Sequence, residues 1–174
     1  MTESNKKYIH TAEDGLSRCW WGHEPLDYRN YHDEEWGRPV ADDIRLFEKI
    51  CLEGFQSGLS WLTILRKREN FREAFAGFDF KKIAEFDDED VACLLQNAGI
   101  IRHRGKIEAT INNAHRAIEI VAEFGSLAGY IWGWEPESHE PGIGKNDSNA
   151  LIPSITKTSQ LLSNDLKKRG WKFF

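Results

Sequence analysis

One carboxylate, Glu53, stands in the stretch CLEGFQSGLSW (51–61), whose other residues are of kinds that pack in a core or form turns. On a helical wheel of ~100° per residue, Glu53 falls at the edge of the apolar stripe that contains Leu46 and Ile50. A half-sheltered carboxylate needs a cation, an N–H donor or a ligand that supplies either, because burial without a partner disfavours its charged form. The simpler alternative is a helix-end glutamate that accepts hydrogen bonds from the amides of the following turn.

Aromatic side chains with polar tips are concentrated in RCWWGHEPLDYRNYHDEEWG (18–37). Tyr28, Tyr31 and Trp36 cannot all lie on one helical stripe. Rings near a sheltered carboxylate suit a flat cationic ligand, because the rings supply stacking and cation–π attraction and the carboxylate supplies the opposite charge. The alternative is an aromatic mini-core that fastens the N-terminal arm.

The same segment contains a thiol and an imidazole, Cys19 and His32, that could bind a metal. A closed structural zinc site needs four ligands, so these two residues alone do not form one. Cys51 and Cys93 fall in helical patterns, and we expect both in the core.

Basic residues are clustered locally in a chain whose net charge is −5. That net charge argues against a generally basic nucleic-acid coat, but local basic turns can hold a phosphate backbone on one face. The alternative for each cluster is a solvated helix surface. The candidates for contact with a DNA backbone are Arg102, Arg104, Lys106, Lys168, Arg169 and Gly170.

Two glycine turns could form a hairpin whose amides bind phosphate. PGIGK (141–145) has the expected Gly-x-Gly, but its flanks are typical of loops rather than helices. LKKRGWKFF (166–174) is the better candidate, because a predicted helix leads into Gly170 with basic residues at the turn.

The elements that must position these residues are helical nearly throughout, and we predict one all-α domain. Asp42 or Asp43 caps a first helix, which Gly54 and Gly58 interrupt before Ser60 caps a second. Further helices are predicted from Asp87 or Asp88, up to Gly125, around 127–132 and over about 158–169, with a loop at 133–156.

Hydropathy and cysteine content favour a cytoplasmic protein without a membrane segment. No apolar run approaches the roughly 20 residues of a membrane span, and the N-terminus lacks the apolar core of a signal peptide. The three cysteines are therefore expected as thiols or ligands rather than disulfide halves.

Five stretches resemble, in this order, those of the 3-methyladenine DNA glycosylase I family: RCWWG, YHDEEWGRP, LFEKICLEGFQSGLSWLTILRKREN, NAGIIRHRGKI and LKKRGWKFF. The resemblance runs from Arg18 to the end of the chain. It implies a helix-hairpin-helix glycosylase fold and hydrolytic removal of 3-methyladenine from alkylated double-stranded DNA, with free 3-methyladenine as product. It also implies a glycosylase domain at 18–174, C-terminally incomplete relative to the family, after a flexible extension at 1–17. We expect a monomer.

The resemblance carries the family's base-recognition and catalytic-site glutamate onto Glu53. It carries the aromatic residues of the lesion pocket onto Trp21, Tyr31 and Trp61, with Tyr28 nearby. Two of the family's four zinc ligands fall on Cys19 and His32. The other two belong to a tail beyond Phe174, so we expect zinc binding to be weak or absent in this chain.

Two functional hypotheses follow from these observations. The first is a monofunctional DNA glycosylase that binds the base with Glu53 and the aromatic set. The second is a catalytically impaired or inactive relative that binds DNA or a nucleobase, since the second half of the hairpin and two zinc ligands are missing.

Overall fold

The computed structural model describes residues 9–137 and 155–173, and this part of the chain is mainly helical. The all-α prediction is confirmed. The α-helices are α1 (Leu26–Glu34), α2 (Asp43–Gln56), α3 (Trp61–Ala74), α4 (Phe80–Ile83), α5 (Asp88–Gln96), α6 (Arg104–Phe124), α7 (Leu127–Trp132) and α8 (Lys157–Lys168). PGIGK (141–145), the less favoured hairpin candidate, lies outside the described residues.

The chain divides into two compact units. Residues 1–39 and 136–156 belong to the first unit, and residues 40–135 and 157–174 to the second. The first unit contains α1 and the second contains α2 to α8. The domain boundary expected after residue 17 falls within the first unit.

A small antiparallel sheet opens the first unit. Strand β1 (Ile9–Thr11) pairs with β2 (Ser17–Cys19), with His10 opposite Arg18. Three-residue strands are too short to show a clear period-two pattern, and sequence analysis did not predict them. Residues 9–11, expected in a flexible extension, are therefore paired in a hairpin.

Arg18 fastens this hairpin to α1. It is buried, and its guanidinium donates to both carboxylate oxygens of Asp33 and both of Asp14, at 2.8–3.0 Å. These hydrogen bonds to Arg18 hold the pKa of Asp14 and of Asp33 at about 2. Charge-assisted pairs with this geometry are stronger than neutral hydrogen bonds, so the network ties the last turn of α1 to β2.

Sequence analysis did not predict α1. Pro25 stands at its N-cap and Asp27 lies in its first turn. A proline at a helix start followed by an acidic residue is a start signal, because proline needs no N–H partner there and the carboxylate faces the positive end of the helix dipole.

The second unit is held together by an aromatic and aliphatic core. Its fully buried large side chains are Phe47, Leu52, Phe55, Ile64, Phe71, Phe75, Phe78, Ile83, Ile107, Ile120 and Leu127. The predicted caps are confirmed. Asp42, Ser60 and Asp87 each accept a backbone N–H at the start of α2, α3 and α5, and Gly125 ends α6 with φ +83°.

Two local predictions in this unit are wrong. Helix α2 continues through Gly54 to Gln56, and the chain turns instead at Gly58, where φ is +80°. A Cβ built on Gly54 would lie 3.6 Å from the Cβ of Phe173, so the C-terminal segment runs against this face of α2. Cys93 is exposed, because its side chain lies on the solvent side of α5, whereas Cys51 is buried as expected.

Within residues 9–137 and 155–173, no helix is long and apolar enough to cross a membrane. The three cysteines are all free thiols.

Candidate functional site

Glu53 lies in the last turn of α2 with an exposed side chain. Its carboxylate forms no hydrogen bond or ion pair with any residue that the structure describes, so the expected bonds to the following amides are not made. Partial dehydration by the surrounding protein raises its pKa, and the positive charge of Lys49 opposes this shift. The carboxylate is therefore accessible to solvent and partly dehydrated.

This placement costs the folded chain stability, and the charge of Lys49 offsets only part of the cost. A negative charge at the carbonyl end of a helix is unfavourable, and dehydration adds to the cost. Residues that break such local rules without a structural gain are concentrated at functional sites. Glu53 is thus available to accept hydrogen bonds from a ligand.

A tight turn joins Glu53 to Trp61. The N–H of Leu59 donates to the carbonyl oxygen of Gln56 at 2.6 Å, and the Ser60 hydroxyl accepts the N–H of Thr63 at 3.2 Å. Trp61 is the first residue of α3, and it is half-buried against the core. The turn therefore sets how the carboxylate and the indole are placed relative to each other.

Lys106 holds this turn from inside the second unit. It is 8% exposed, and its Nζ donates to the carbonyl oxygens of Phe55 at 2.8 Å and Ser57 at 2.6 Å. Burial lowers the pKa of its ammonium. The sequence analysis grouped Lys106 with residues that contact a DNA backbone, but its amine points into the protein.

The predicted aromatic residues of the first unit form one cluster around Trp21. Its ring centroid lies 5.0 Å from that of Tyr28, 6.3 Å from Tyr31 and 5.1 Å from Trp36. Tyr31 is buried, whereas Trp21 and Tyr28 are half-exposed. The rings pack on one another as the mini-core alternative predicts, and part of Trp21 and Tyr28 still faces solvent.

Three of the basic candidates are exposed in the second unit. Arg102 precedes α6, Arg104 begins it, and Lys168 ends α8. Arg104 forms an ion pair of 3.2 Å with Glu108, one helical turn along. Exposed pairs of this kind are weak, so Arg104 can exchange its partner for a phosphate at little cost.

Arg169 forms ion pairs with two carboxylates of the second unit. It donates to Glu123 and Asp165 at 2.7 Å, and its guanidinium lies about 5 Å from the ring centres of Phe124 and Tyr130. The hydrogen bonds from Arg169 lower the pKa of both carboxylates. This residue fixes the end of α8 rather than presenting a free charge.

Gly170 forms the predicted turn after α8, with φ +83°. Its carbonyl oxygen accepts a hydrogen bond from the Asn112 side chain at 2.9 Å. Asn113, the next residue of α6, is buried and hydrogen-bonds the backbone of Lys172. Sequence analysis missed both asparagines, because nothing in a helical stripe shows which distant backbone a polar side chain will bind.

Cys19 and His32 lie close together in the first unit but do not by themselves fit a zinc ion. The Nε2 of His32 accepts the Cys19 backbone N–H at 3.3 Å, and its Nδ1 lies 2.9 Å from an oxygen of Asp33. Burial raises the pKa of the Cys19 thiol, which favours the protonated form. Among residues 9–137 and 155–173, no three His, Cys, Asp or Glu side chains are grouped to hold a metal.

Comparison with known protein families finds that the sequence model of methyladenine glycosylase matches residues 20–174. The chain is 46% identical over 158 residues to "DNA-3-methyladenine glycosylase 1" of Escherichia coli K12, covering 91% of this chain and 83% of that protein. It is also 46% identical over 159 residues to "DNA-3-methyladenine glycosylase" of Haemophilus influenzae, covering 90% and 84%.

Solved structures give the same match. A crystal structure of 3-methyladenine DNA glycosylase I superposes with a TM-score of 0.79 at 46% identity, covering 90% of this chain and 85% of that one. A structure from Staphylococcus aureus, described as showing the basis of 3-methyladenine recognition, gives 0.79 at 35% identity, covering 90% and 82%. A variant of the enzyme in complex with 3-methyladenine gives 0.78 at 34% identity, covering 90% and 83%.

Proposed function

This chain belongs to the methyladenine glycosylase family, and from this premise we propose that it is a DNA repair glycosylase that removes 3-methyladenine from alkylated DNA. The observation that carries the proposal is the partly dehydrated carboxylate of Glu53 in the last turn of α2, which no residue of 9–137 or 155–173 pairs by a hydrogen bond or a salt bridge. It is the kind of group that a cationic base with N–H donors would satisfy.

The chemistry of the lesion explains why a carboxylate suffices for recognition. Methylation at N3 gives adenine a positive charge and makes it a good leaving group from deoxyribose. A carboxylate that accepts an N–H from this cation forms a charge-assisted hydrogen bond, about twice as strong as a neutral one. Normal adenine is neutral and gains less, so Glu53 discriminates between the two bases.

The aromatic residues supply the remaining recognition in this proposal. We infer that Trp61, in the second unit, binds the base through its ring, because a flat cation is attracted by the negative face of an aromatic ring. We propose Trp21, Tyr31 and Tyr28, in the first unit, as base-binding residues for the same reason. Their support is the family relationship and, for Trp21 and Tyr28, a half-exposed ring. The target nucleotide must leave the base stack to reach these groups.

The reaction requires little further catalysis once the base is bound. Water attacks the anomeric carbon of the sugar as the glycosidic bond breaks, the base leaves as neutral 3-methyladenine, and the proton lost by the water passes to solvent. Glu53 stabilises the bound cation and is better described as a recognition residue than as a general base. Lys106 is not available for a Schiff base, because its amine is buried on two carbonyl oxygens. We propose a monofunctional hydrolase without strand cleavage.

Contact with double-stranded DNA is assigned to the exposed basic residues. We propose that Arg102, Arg104 and Lys168 bind phosphates and that the Gly170 turn lies at the DNA backbone. Each neutralised phosphate releases counterions, so binding should weaken as salt rises. We further propose a cytoplasmic monomer that binds zinc weakly or not at all.

The proposal is tested by incubating the chain with methylated duplex DNA and separating the released bases by chromatography. We expect free 3-methyladenine and abasic sites in strands that stay uncut until alkali is added. Strand breaks before alkali would contradict the monofunctional mechanism. Tight binding of methylated DNA without any base release would favour the catalytically inactive relative.

A further inference from the structure

Lys106 occupies an unusual position for a residue within a basic cluster. It lies in RHRGK (102–106), beside the exposed Arg102 and Arg104, yet only 8% of its surface is accessible. A lysine is almost never this buried unless it is paired, because dehydrating an ammonium ion is costly. Hydrogen bonds to its ammonium group must therefore compensate for the lost hydration.

The partners are two carbonyl oxygens at the end of α2. Phe55 and Ser57 accept from Nζ at 2.8 and 2.6 Å, across 51 and 49 residues of sequence. Carbonyl groups in the last turn of a helix have no partners within the helix, and a cation there is favoured by the helix dipole. Lys106 thus caps α2 from a different helix.

The capped backbone lies between the two proposed recognition residues of the second unit. Phe55 is two residues after Glu53, and Ser57 is four residues before Trp61. Gly58, next to Ser57, has a positive φ of 80°. Glycine adopts such a φ easily but is also the most flexible residue, so this turn has more backbone freedom than its neighbours. Fixing the carbonyls on either side of Gln56 removes that freedom.

We propose that Lys106 is a positioning residue for base recognition and not a phosphate contact. It holds the 55–57 backbone so that Glu53 and Trp61 keep their relative placement. The inference rests on the proposed function, since it names a residue that prepares the same site. It corrects the grouping of Lys106 with Arg102 and Arg104 that the local sequence suggests.

The test compares Lys106→Met with two matched variants. Lys82→Met removes an exposed lysine from α4. Arg104→Met removes an exposed cation from α6, the helix that contains Lys106. Binding of free 3-methyladenine is measured by calorimetry at a temperature where circular dichroism shows every variant folded. Binding of an undamaged duplex is measured as a function of salt.

Lys106→Met should weaken free-base binding about tenfold or more, because two carbonyls lose a charged donor, and should leave the salt slope for DNA unchanged. Arg104→Met should leave free-base binding unchanged and lower the salt slope by about one. Lys82→Met should alter neither. Unchanged free-base affinity in Lys106→Met, with a reduced salt slope, would overturn the proposal.

Two further measurements test the role of Lys106 independently of the proposed function. In Lys106→Met, amide hydrogen exchange should accelerate at 56–60 and not along α6, whether or not the wild-type chain binds 3-methyladenine. If this variant fails to fold, reductive methylation of the wild-type chain replaces it. Lys106 should resist methylation equally with and without DNA, whereas methylation in free protein that DNA prevents would identify a phosphate contact.

Discussion

The side chain of Asn113 binds the backbone of Lys172 at two points. Its Oδ1 accepts the Lys172 N–H at 2.9 Å, and its Nδ2 donates to the Lys172 carbonyl oxygen at 3.0 Å. Asn113 is buried on α6, and Lys172 follows the Gly170 turn. One asparagine therefore fixes the course of the chain directly after the proposed DNA-binding turn.

Replacing Asn113 by alanine should weaken DNA binding without weakening binding of free 3-methyladenine. The change leaves a backbone N–H and a carbonyl without their partner, and the Gly170 turn loses its support. We expect about tenfold weaker binding of an undamaged duplex, by fluorescence anisotropy, from loss of about 1–2 kcal/mol. Asn164→Ala, at an exposed position of α8, is the matched control. Equal duplex binding by Asn113→Ala and wild type would disprove a role for this anchor.

The raised pKa of Glu53 predicts a pH-dependent affinity for the base. Dehydration disfavours its charged form, so Glu53 should begin to take up a proton above the ordinary glutamate pKa of about 4.3 as the solution is acidified. Wild type should bind free 3-methyladenine on the order of 10- to 100-fold more tightly than Glu53→Gln near neutral pH. This difference in affinity should decrease as the pH falls and Glu53 takes up a proton. Calorimetric titrations of both proteins across pH measure this difference, with the protonation of the free base determined separately, because a cationic base gains more from the Glu53 carboxylate than a neutral one. A ratio of the two affinities that does not change with pH would contradict a raised pKa for Glu53.

The same pKa shift makes a prediction about stability with a definite sign. Because the folded-state pKa lies above the unfolded value, charged Glu53 destabilises the fold at neutral pH, and this cost disappears below about pH 4.3. Glu53→Gln should therefore be at least as stable as wild type near neutral pH, and the two should converge in acid. Urea unfolding at several pH values measures this difference, with exposed Glu73→Gln as control. A clear loss of stability in Glu53→Gln at neutral pH would show that the carboxylate has a structural role.

We expect the 174-residue chain to hold far less than one zinc ion. In the described part of the chain, His32 already uses both ring nitrogens on Cys19 and Asp33, and no third ligand joins it. Elemental analysis after purification in metal-free buffer measures the content. A stoichiometric zinc that Cys19→Ser removes would contradict this expectation.

The local signals of the sequence were sufficient for most helix ends. Asp42, Ser60 and Asp87 cap helices through bonds that span two or three residues, and Gly125 ends α6 through its own backbone conformation. Such signals depend on neighbours in the chain, so they can be identified without knowledge of the fold.

Contacts between distant parts of the chain explain what the sequence did not show. Gly54 remains helical because α2 packs against the C-terminal segment at Phe173, and this tertiary contact overrides the weak local preference of glycine. Lys106 and Arg169 lie in basic clusters that suggest DNA contact. Lys106 instead binds carbonyl groups 49 and 51 residues away, and Arg169 pairs with Glu123, 46 residues away, as well as with nearby Asp165. Only the fold distinguishes a buried cation from an exposed one.

The central claim is that Glu53 lets this chain select and release a cationic methylated adenine from DNA. Single-turnover release of 3-methyladenine from methylated duplex DNA, by wild type and Glu53→Gln side by side, tests it most directly. We predict release by wild type and a rate lower by about 10- to 100-fold in the variant, corresponding to one charge-assisted hydrogen bond. Equal rates for the two folded proteins, or no release by wild type, would contradict the claim.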